Sequence, residues 1–176
     1  MRNWLTRFGR IGIKVGLAIL KLLGAGGVYL SGLLNLQDAM TDLLTFGREV
    51  LESQPFSRLL GTQLLEFEEG KAVLELRITA NLKQQHDFVH GGVVSYLADN
   101  CLTFAGGSVL GDSVTSEYKI NYVRPAVGDK LVATAWVEHQ GANQAVCRCE
   151  VVVADGETQK TVALAQGTIT KIRKET

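Results

Sequence analysis

The 176-residue sequence predicts an α+β domain: an antiparallel sheet of about six strands wrapped around one long central helix, with a helical extension at the N-terminus. Three observations predict it. The stretch from about His90 to Gly107 is apolar nearly all round, the pattern of a helix buried on every side. Two runs of alternating polarity precede it and four follow, separated by turn residues. A lone apolar helix among antiparallel strands is covered if the sheet curls around it.

Composition sets the outer bounds. Apolar residues make up 46% and charged residues 20%, enough for a real core and too little charge for a disordered chain. Formal net charge is zero, which speaks against a nucleic-acid partner for the whole protein. The charge is uneven, however. Arg2, Arg7, Arg10, Lys14 and Lys21 all precede the first acid, Asp38, so the rest of the chain is acidic. Cys101, Cys147 and Cys149 are an odd count without a regular framework, which reads as free thiols in a reducing compartment. Cys147 and Cys149, two apart in an apparent strand, share a face. With only His139 nearby they lack the spacing of a metal site, and no cofactor is implied.

Residues 1–34 form the extension. At helical spacing Arg7, Arg10, Lys14 and Lys21 make one stripe, and Trp4, Phe8, Ile11, Val15 and Leu22 line another side. That is the pattern of a helix lying in a membrane interface, and it places the protein in the cytoplasm, peripheral on a membrane. Competing readings are a single-span anchor from about Val15 to Leu34, a secretory signal, a transit peptide leading to the mitochondrial matrix, and a helix packed on the protein's own surface. "GAGG", Gly24 to Gly27, is the expected hinge.

Residues 35–176 form the main domain. Leu36, Met40, Leu43, Leu44 and Leu51 give a leading helix over 35–55, with Asn35 as N-cap and Pro55 as stop. "TQLLEFEEGKAVLELRI" alternates around Glu69-Gly70 and reads as a hairpin. "TANLKQQHDF" is a loop into the central helix. "SVTSEYKINYV", "KLVATAWVEHQ", "AVCRCEVVVA" and "KTVALAQGTITKI" are the four later strands, with turns at 124–129, 141–143 and Asp155-Gly156.

The central helix carries an acid, Asp99, in its middle. A buried ionised carboxylate without partners is costly. Ser95 and Thr103 lie one turn before and after it, so a polar seam runs along the helix. The seam is either a site or the helix's solvent-facing side, and Tyr96 and Asn100 beside it suit the second reading. His90-Gly91-Gly92 sits at the expected helix N-terminus, where unpaired N–H groups and a positive dipole end can stabilise an oxyanion. An oxyanion site with a carboxylate about two turns along describes acyl transfer or hydrolysis.

"QQHDFVHGGVVSYLAD", followed by "VTSEYKINYVRPAVGDKL", resembles the PaaI-type hotdog thioesterases. That family carries HGG, an acid nine positions after the His, and then a strand ending in a Pro-Ala and Gly turn. The resemblance runs from about Phe56 to Ile172. It implies the hotdog fold and hydrolysis of acyl-CoA thioesters, with no cofactor and no metal. It also implies a homodimer or a dimer-of-dimers tetramer with the site at the subunit interface. Asp99 matches the catalytic carboxylate, as general base on water or as nucleophile. The backbone N–H groups at Gly91 and Gly92 would polarise the thioester carbonyl, and His90 would orient the loop or the thioester. Thr115 would position water across the interface, Arg124 would meet the CoA phosphates, and Ser95 on the seam is a candidate substrate contact. Relatives carry Asn six positions before the motif His. Here that position is Gln84, with Gln85 and His86 as rivals for the orienting role.

Two other functions stay open at this stage. The hotdog fold also hosts hydratases and dehydratases, though these place their His and acid differently. A non-catalytic acyl-CoA-binding or membrane-recruited protein would keep the fold without turnover.

Overall fold

The computed structural model describes residues 42–173. The N-terminal extension, the GAGG hinge, Asn35, Leu36 and Met40 lie outside the described residues. Helix α1 covers residues 42–52 and buries Leu43, Phe46 and Leu51. Gly47 lets it settle on the sheet: a Cβ there would meet Phe67 at 2.5 Å. Pro55 does stop this helix, but it also occupies the first turn of a second short one, α2 (Pro55–Leu60), closed by Gly61 at φ 74°. The sequence reading did not contain α2. Proline tolerates the first helical turn because its missing N–H would be unpaired there anyway.

Strands β1 (Gln63–Glu68) and β2 (Lys71–Arg77) form the expected hairpin, with Gly70 in the left-handed region at φ 79°. A short 3-10 turn (Ala80–Leu82) leads through the loop to the central helix α3 (Gly91–Leu110). Then come β3 (Ser113–Tyr122), β4 (Lys130–Gln140), β5 (Gln144–Asp155) and β6 (Thr158–Lys171). The helix runs one turn further than Gly107 because Leu110 still finds the core. Gly106 and Gly107 do not break it. A Cβ on Gly106 would lie 2.6 Å from that of Ile169, so glycine is what allows the helix to approach β6.

The six strands form one antiparallel sheet in the order β1-β2-β4-β5-β6-β3. The helix packs against all six. Its Leu97, Ala98, Cys101, Leu102 and Ala105 are fully buried against Leu74, Leu76, Leu131, Ala133, Cys147, Val151 and Ile169 of the sheet. Small residues recur on the inner face of β4, at Ala133 and Ala135, which makes room for the helix to lie close. This is the helix-in-sheet wrapping that the periodicities predicted.

Cys147 and Cys149 share the inward face of β5, with Cys101 on the helix above them. All three are free and buried. Burial pushes the Cys101 thiol well above its usual value, with Cys149 adding to the shift. Burial likewise pushes Cys147 up to about 11, assisted by the charge of Glu138. Among the described residues no group of side chains is arranged to hold a metal ion, and no helix is long and apolar enough to cross a membrane.

Candidate active site

The polar seam of α3 does not face solvent broadly. It faces β3, which is an edge of the sheet. The Ser95 hydroxyl lies 2.5 Å from that of Tyr118. One turn on, Asp99 is half-buried, and its Oδ1 is buried with no hydrogen-bond partner among the described residues. A further turn on, Thr103 Oγ1 donates to the Asp99 carbonyl at 2.9 Å and lies 2.7 Å from Thr115 Oγ1. Thr115 and Tyr118 are three apart in sequence yet both meet the helix. A bulge between Thr115 and Glu117 slips the pairing with β6 by one residue and restores the shared face.

The other polar edge of the helix is covered instead of wet. Tyr96 Oη donates to Ser57 Oγ at 2.7 Å, and Asn100 Nδ2 reaches Gln54 Oε1 at 3.2 Å. Ser57 is 1% exposed and donates to Gln54 at 2.6 Å. The α2 segment thus seals this edge with a satisfied network. The Ser95–Asp99–Thr103 edge is the one left with an unpaired carboxylate oxygen.

At the helix N-terminus, His90 is the N-cap, and its Nδ1 accepts from the Gly92 N–H at 3.0 Å. This separates the two glycines that the sequence treated together. The Gly92 N–H is engaged by the imidazole, while the Gly91 N–H has no partner among the described residues. An Nδ1 that accepts leaves the neutral ring's proton on Nε2, so exposed His90 presents a donor outward. The Gly91 carbonyl accepts from Tyr122 Oη at 3.0 Å.

Gln84 sits in a tight turn. Its Oε1 accepts from the His86 N–H at 3.0 Å, and Asp87 follows at φ 63°. With the oxygen committed to the turn, the amide NH₂ is the part left to meet a ligand. Gln85 and His86 are exposed. Arg124 is also exposed and holds the Thr161 carbonyl through Nη1 at 2.8 Å. Gln84, Gly91, Tyr122 and Arg124 line one open groove of about 360 Å³, floored by Val94, Ala126 and Val162.

The predicted residues therefore fall into two groups. Gln84, Gly91 and Arg124 share the groove, and His90 and Gly92 flank Gly91 in the chain without lining it. Ser95, Asp99 and Thr115 share the seam along β3. Gly91 and Asp99 stand eight positions apart on one helix, about 12 Å along its axis at 1.5 Å per residue. One small carbonyl cannot touch both in a single protomer. The sequence reading lacked Tyr118 and Tyr122. Their matching parity in β3 placed both on one face, but nothing marked that face as polar.

Residues 86–160 match the family model of the Thioesterase superfamily, a span that contains His90, Asp99, Thr115 and Arg124. The chain is 37% identical over 117 residues to the acyl-coenzyme A thioesterase PaaI of Escherichia coli K12, covering 66% of this chain and 81% of that protein. It is 29% identical to the 1,4-dihydroxy-2-naphthoyl-CoA hydrolase of Listeria monocytogenes, covering 65% of this chain and 94% of that one. Among solved structures, that of the E. coli PaaI protein superimposes with a TM-score of 0.67 at 34% identity, covering 72% of this chain and 91% of the other.

Proposed function

This chain belongs to the PaaI-type hotdog-fold acyl-CoA thioesterase family, and on that premise we propose that it hydrolyses acyl-CoA thioesters to free acid and CoA through a site built around Asp99 and Gly91. The observation that carries the reading is the Oδ1 of Asp99, buried without a partner among the described residues, on a helix whose first N–H likewise has none among them. A buried polar atom without a partner costs stability, and a substrate or water that pairs with it gives the cost a purpose.

The chemistry follows from the donor set. The thioester oxygen meets the Gly91 N–H at the positive end of α3. Asp99 takes a proton from water as the water oxygen adds to the carbonyl carbon. The C–S bond then breaks, and the departing CoA thiolate takes up the proton. As nucleophile, Asp99 would instead attack the carbon itself and be freed by water. His90 fixes the glycine turn, Thr115 and Ser95 order the seam, and Gln84 and Arg124 meet the CoA arm along the groove.

The 12 Å between Gly91 and Asp99 along one helix supports a shared site, with Gly91 of one copy working opposite Asp99 of another. The free edge of β3 is where a second copy of the chain would add, as unpaired strand edges invite. We assign the protein as a homodimer or a dimer of such dimers, and residues 1–34 as a segment that docks on a membrane surface.

A thiol-release assay over an acyl-CoA chain-length series, with phenylacetyl-CoA and benzoyl-CoA included, tests the reading. Asp99→Asn is nearly isosteric and should fold normally. Loss of general-base action should lower turnover about a hundred- to ten-thousand-fold. Turnover by Asp99→Asn near that of the unaltered protein would overturn the mechanism, and no thiol release across the series would favour a binding protein.

A further inference from the structure

The groove beside the helix N-terminus contains one polar side chain that the mechanism above leaves unused. Tyr122 is the last residue of β3 and is 53% exposed in the single chain. Its hydroxyl does not point into solvent: it donates to the Gly91 carbonyl at 3.0 Å. The ring packs on the same glycine, since a Cβ built on Gly91 would meet Tyr122 Cζ and Oη at 3.7 Å. The strand beneath is firm, with Tyr122 paired to Ala163 and the Val123 N–H bonded to the Val162 carbonyl at 2.9 Å.

We propose that Tyr122 is a positioning residue for catalysis, fixing the Gly91 turn so that its free N–H stays aimed at the thioester oxygen. The inference rests on the assignment of that N–H to the oxyanion. The Gly91–Gly92 peptide is held at both ends, its oxygen by the Tyr122 hydroxyl and its N–H by His90 Nδ1. Among the described residues the preceding peptide, His90–Gly91, is held only through its oxygen, which accepts from the Val93 N–H at 2.9 Å and the Val94 N–H at 3.4 Å. Its N–H must remain unbonded to do its work, so that peptide cannot be tied at both ends. Two consecutive glycines are the softest backbone a chain can offer, and an oxyanion donor is useful only if it needs no reorganisation when charge develops. Clamping the next peptide plane supplies that stiffness without occupying the donor. Tyrosine suits the task because its ring covers the glycine while its hydroxyl reaches the carbonyl.

The test compares Tyr122→Phe and Tyr122→Leu with the unaltered protein, using the acyl-CoA that the unaltered protein turns over fastest. Tyr122→Phe keeps the ring on Gly91 and removes one hydrogen bond. It should lower kcat about five- to ten-fold, the scale of one lost hydrogen bond, with KM unchanged and Tm lowered by no more than a few degrees. Tyr122→Leu should lower kcat further. The decisive measurement is spectroscopic. In the Asp99→Asn background, the infrared carbonyl stretch of bound, ¹³C-labelled substrate should be lowered by the Gly91 N–H, and the lowering should shrink when Tyr122→Phe is added. A Tyr122→Phe protein with unaltered kcat and an unaltered carbonyl stretch overturns the proposal, and so does a change confined to KM. If Asp99→Asn itself retains full turnover, the assignment of the site fails first, so the two failures are told apart.

Discussion

The Thr115 hydroxyl lies 2.7 Å from that of Thr103, and the direction of this bond is fixed by a third group. Thr103 has one proton to give, and it goes to the Asp99 carbonyl at 2.9 Å. Thr115 must therefore donate to Thr103. Its lone pairs are left facing away, so it can hold a water only by accepting a proton from it. That orients the water's oxygen for attack and leaves its second proton for a base.

Thr115→Val should accordingly cost more than Thr115→Ser. Valine removes the acceptor and leaves the Thr103 oxygen without a donor, which should lower kcat about ten-fold and stability by roughly 1 kcal/mol. Serine keeps the hydroxyl and should stay within about two-fold of the unaltered rate. Steady-state kinetics with chemical denaturation of both variants checks this, and equal rates for the two would remove Thr115 from the water-holding role.

Much of this was legible in the sequence, and the failures have physical causes. The buried helix, its start at His90-Gly91-Gly92 and the hairpin at Gly70 all follow from local rules, period and turn chemistry, that act within a few residues. The cover over Tyr96 and Asn100 does not. It depends on Ser57 and Gln54, some forty positions earlier, and on a helix that begins at the very proline read as a stop. The face shared by Thr115 and Tyr118 was hidden by a bulge, since one extra residue inverts the alternation from which faces are read. The division of labour between Gly91 and Gly92 turned on a single imidazole hydrogen bond, a choice of rotamer that no spacing encodes.

The spacing of Gly91 and Asp99 predicts complementation between inactive variants. Gly91→Pro removes the free N–H at a first-turn position that proline tolerates, so this variant should fold without turnover. Mixing Gly91→Pro with Asp99→Asn and allowing subunits to exchange should restore about a quarter of full activity, because half of the dimers are hybrids and each hybrid has one intact site. A mixture that stays inactive after exchange, verified by mass-tagged subunits, would confine the site to one protomer.

The Cys147 thiol predicts a loss of stability in mild alkali. Its folded value is pushed up to about 11 by burial, against 9.0 for a free thiol. Below pH 9 both states keep the proton and no penalty exists. From pH 9 towards 11 the unfolded thiol ionises while the folded one does not, so stability falls, by at most about 1.4 kcal/mol per pH unit for one proton. Denaturation midpoints at pH 8 and pH 10.5 should show a smaller drop for Cys147→Ala than for the unaltered chain. Identical drops would mean that other groups set the alkaline limit.

The N-terminal segment supplies the last prediction, resting on sequence since residues 1–34 lie outside the described structure. Its stripe of Arg7, Arg10, Lys14 and Lys21 stands beside Trp4, Phe8 and Ile11. Each basic residue near an anionic surface contributes about 1 kcal/mol, and salt screens that part. The apolar side adds an attraction that salt does not weaken. Full-length protein should therefore float with anionic vesicles at low salt, float less at high salt without reaching zero, and lose binding when residues 1–34 are removed. Turnover of short-chain, soluble acyl-CoA should survive the truncation, because every residue assigned to the site lies beyond position 83. Hydrolysis of long-chain acyl-CoA presented in vesicles should fall, since enzyme and substrate no longer share a surface. Full-length protein that stays behind while the vesicles float would instead assign the segment to packing on the protein itself. Release only by detergent would assign it to a membrane span.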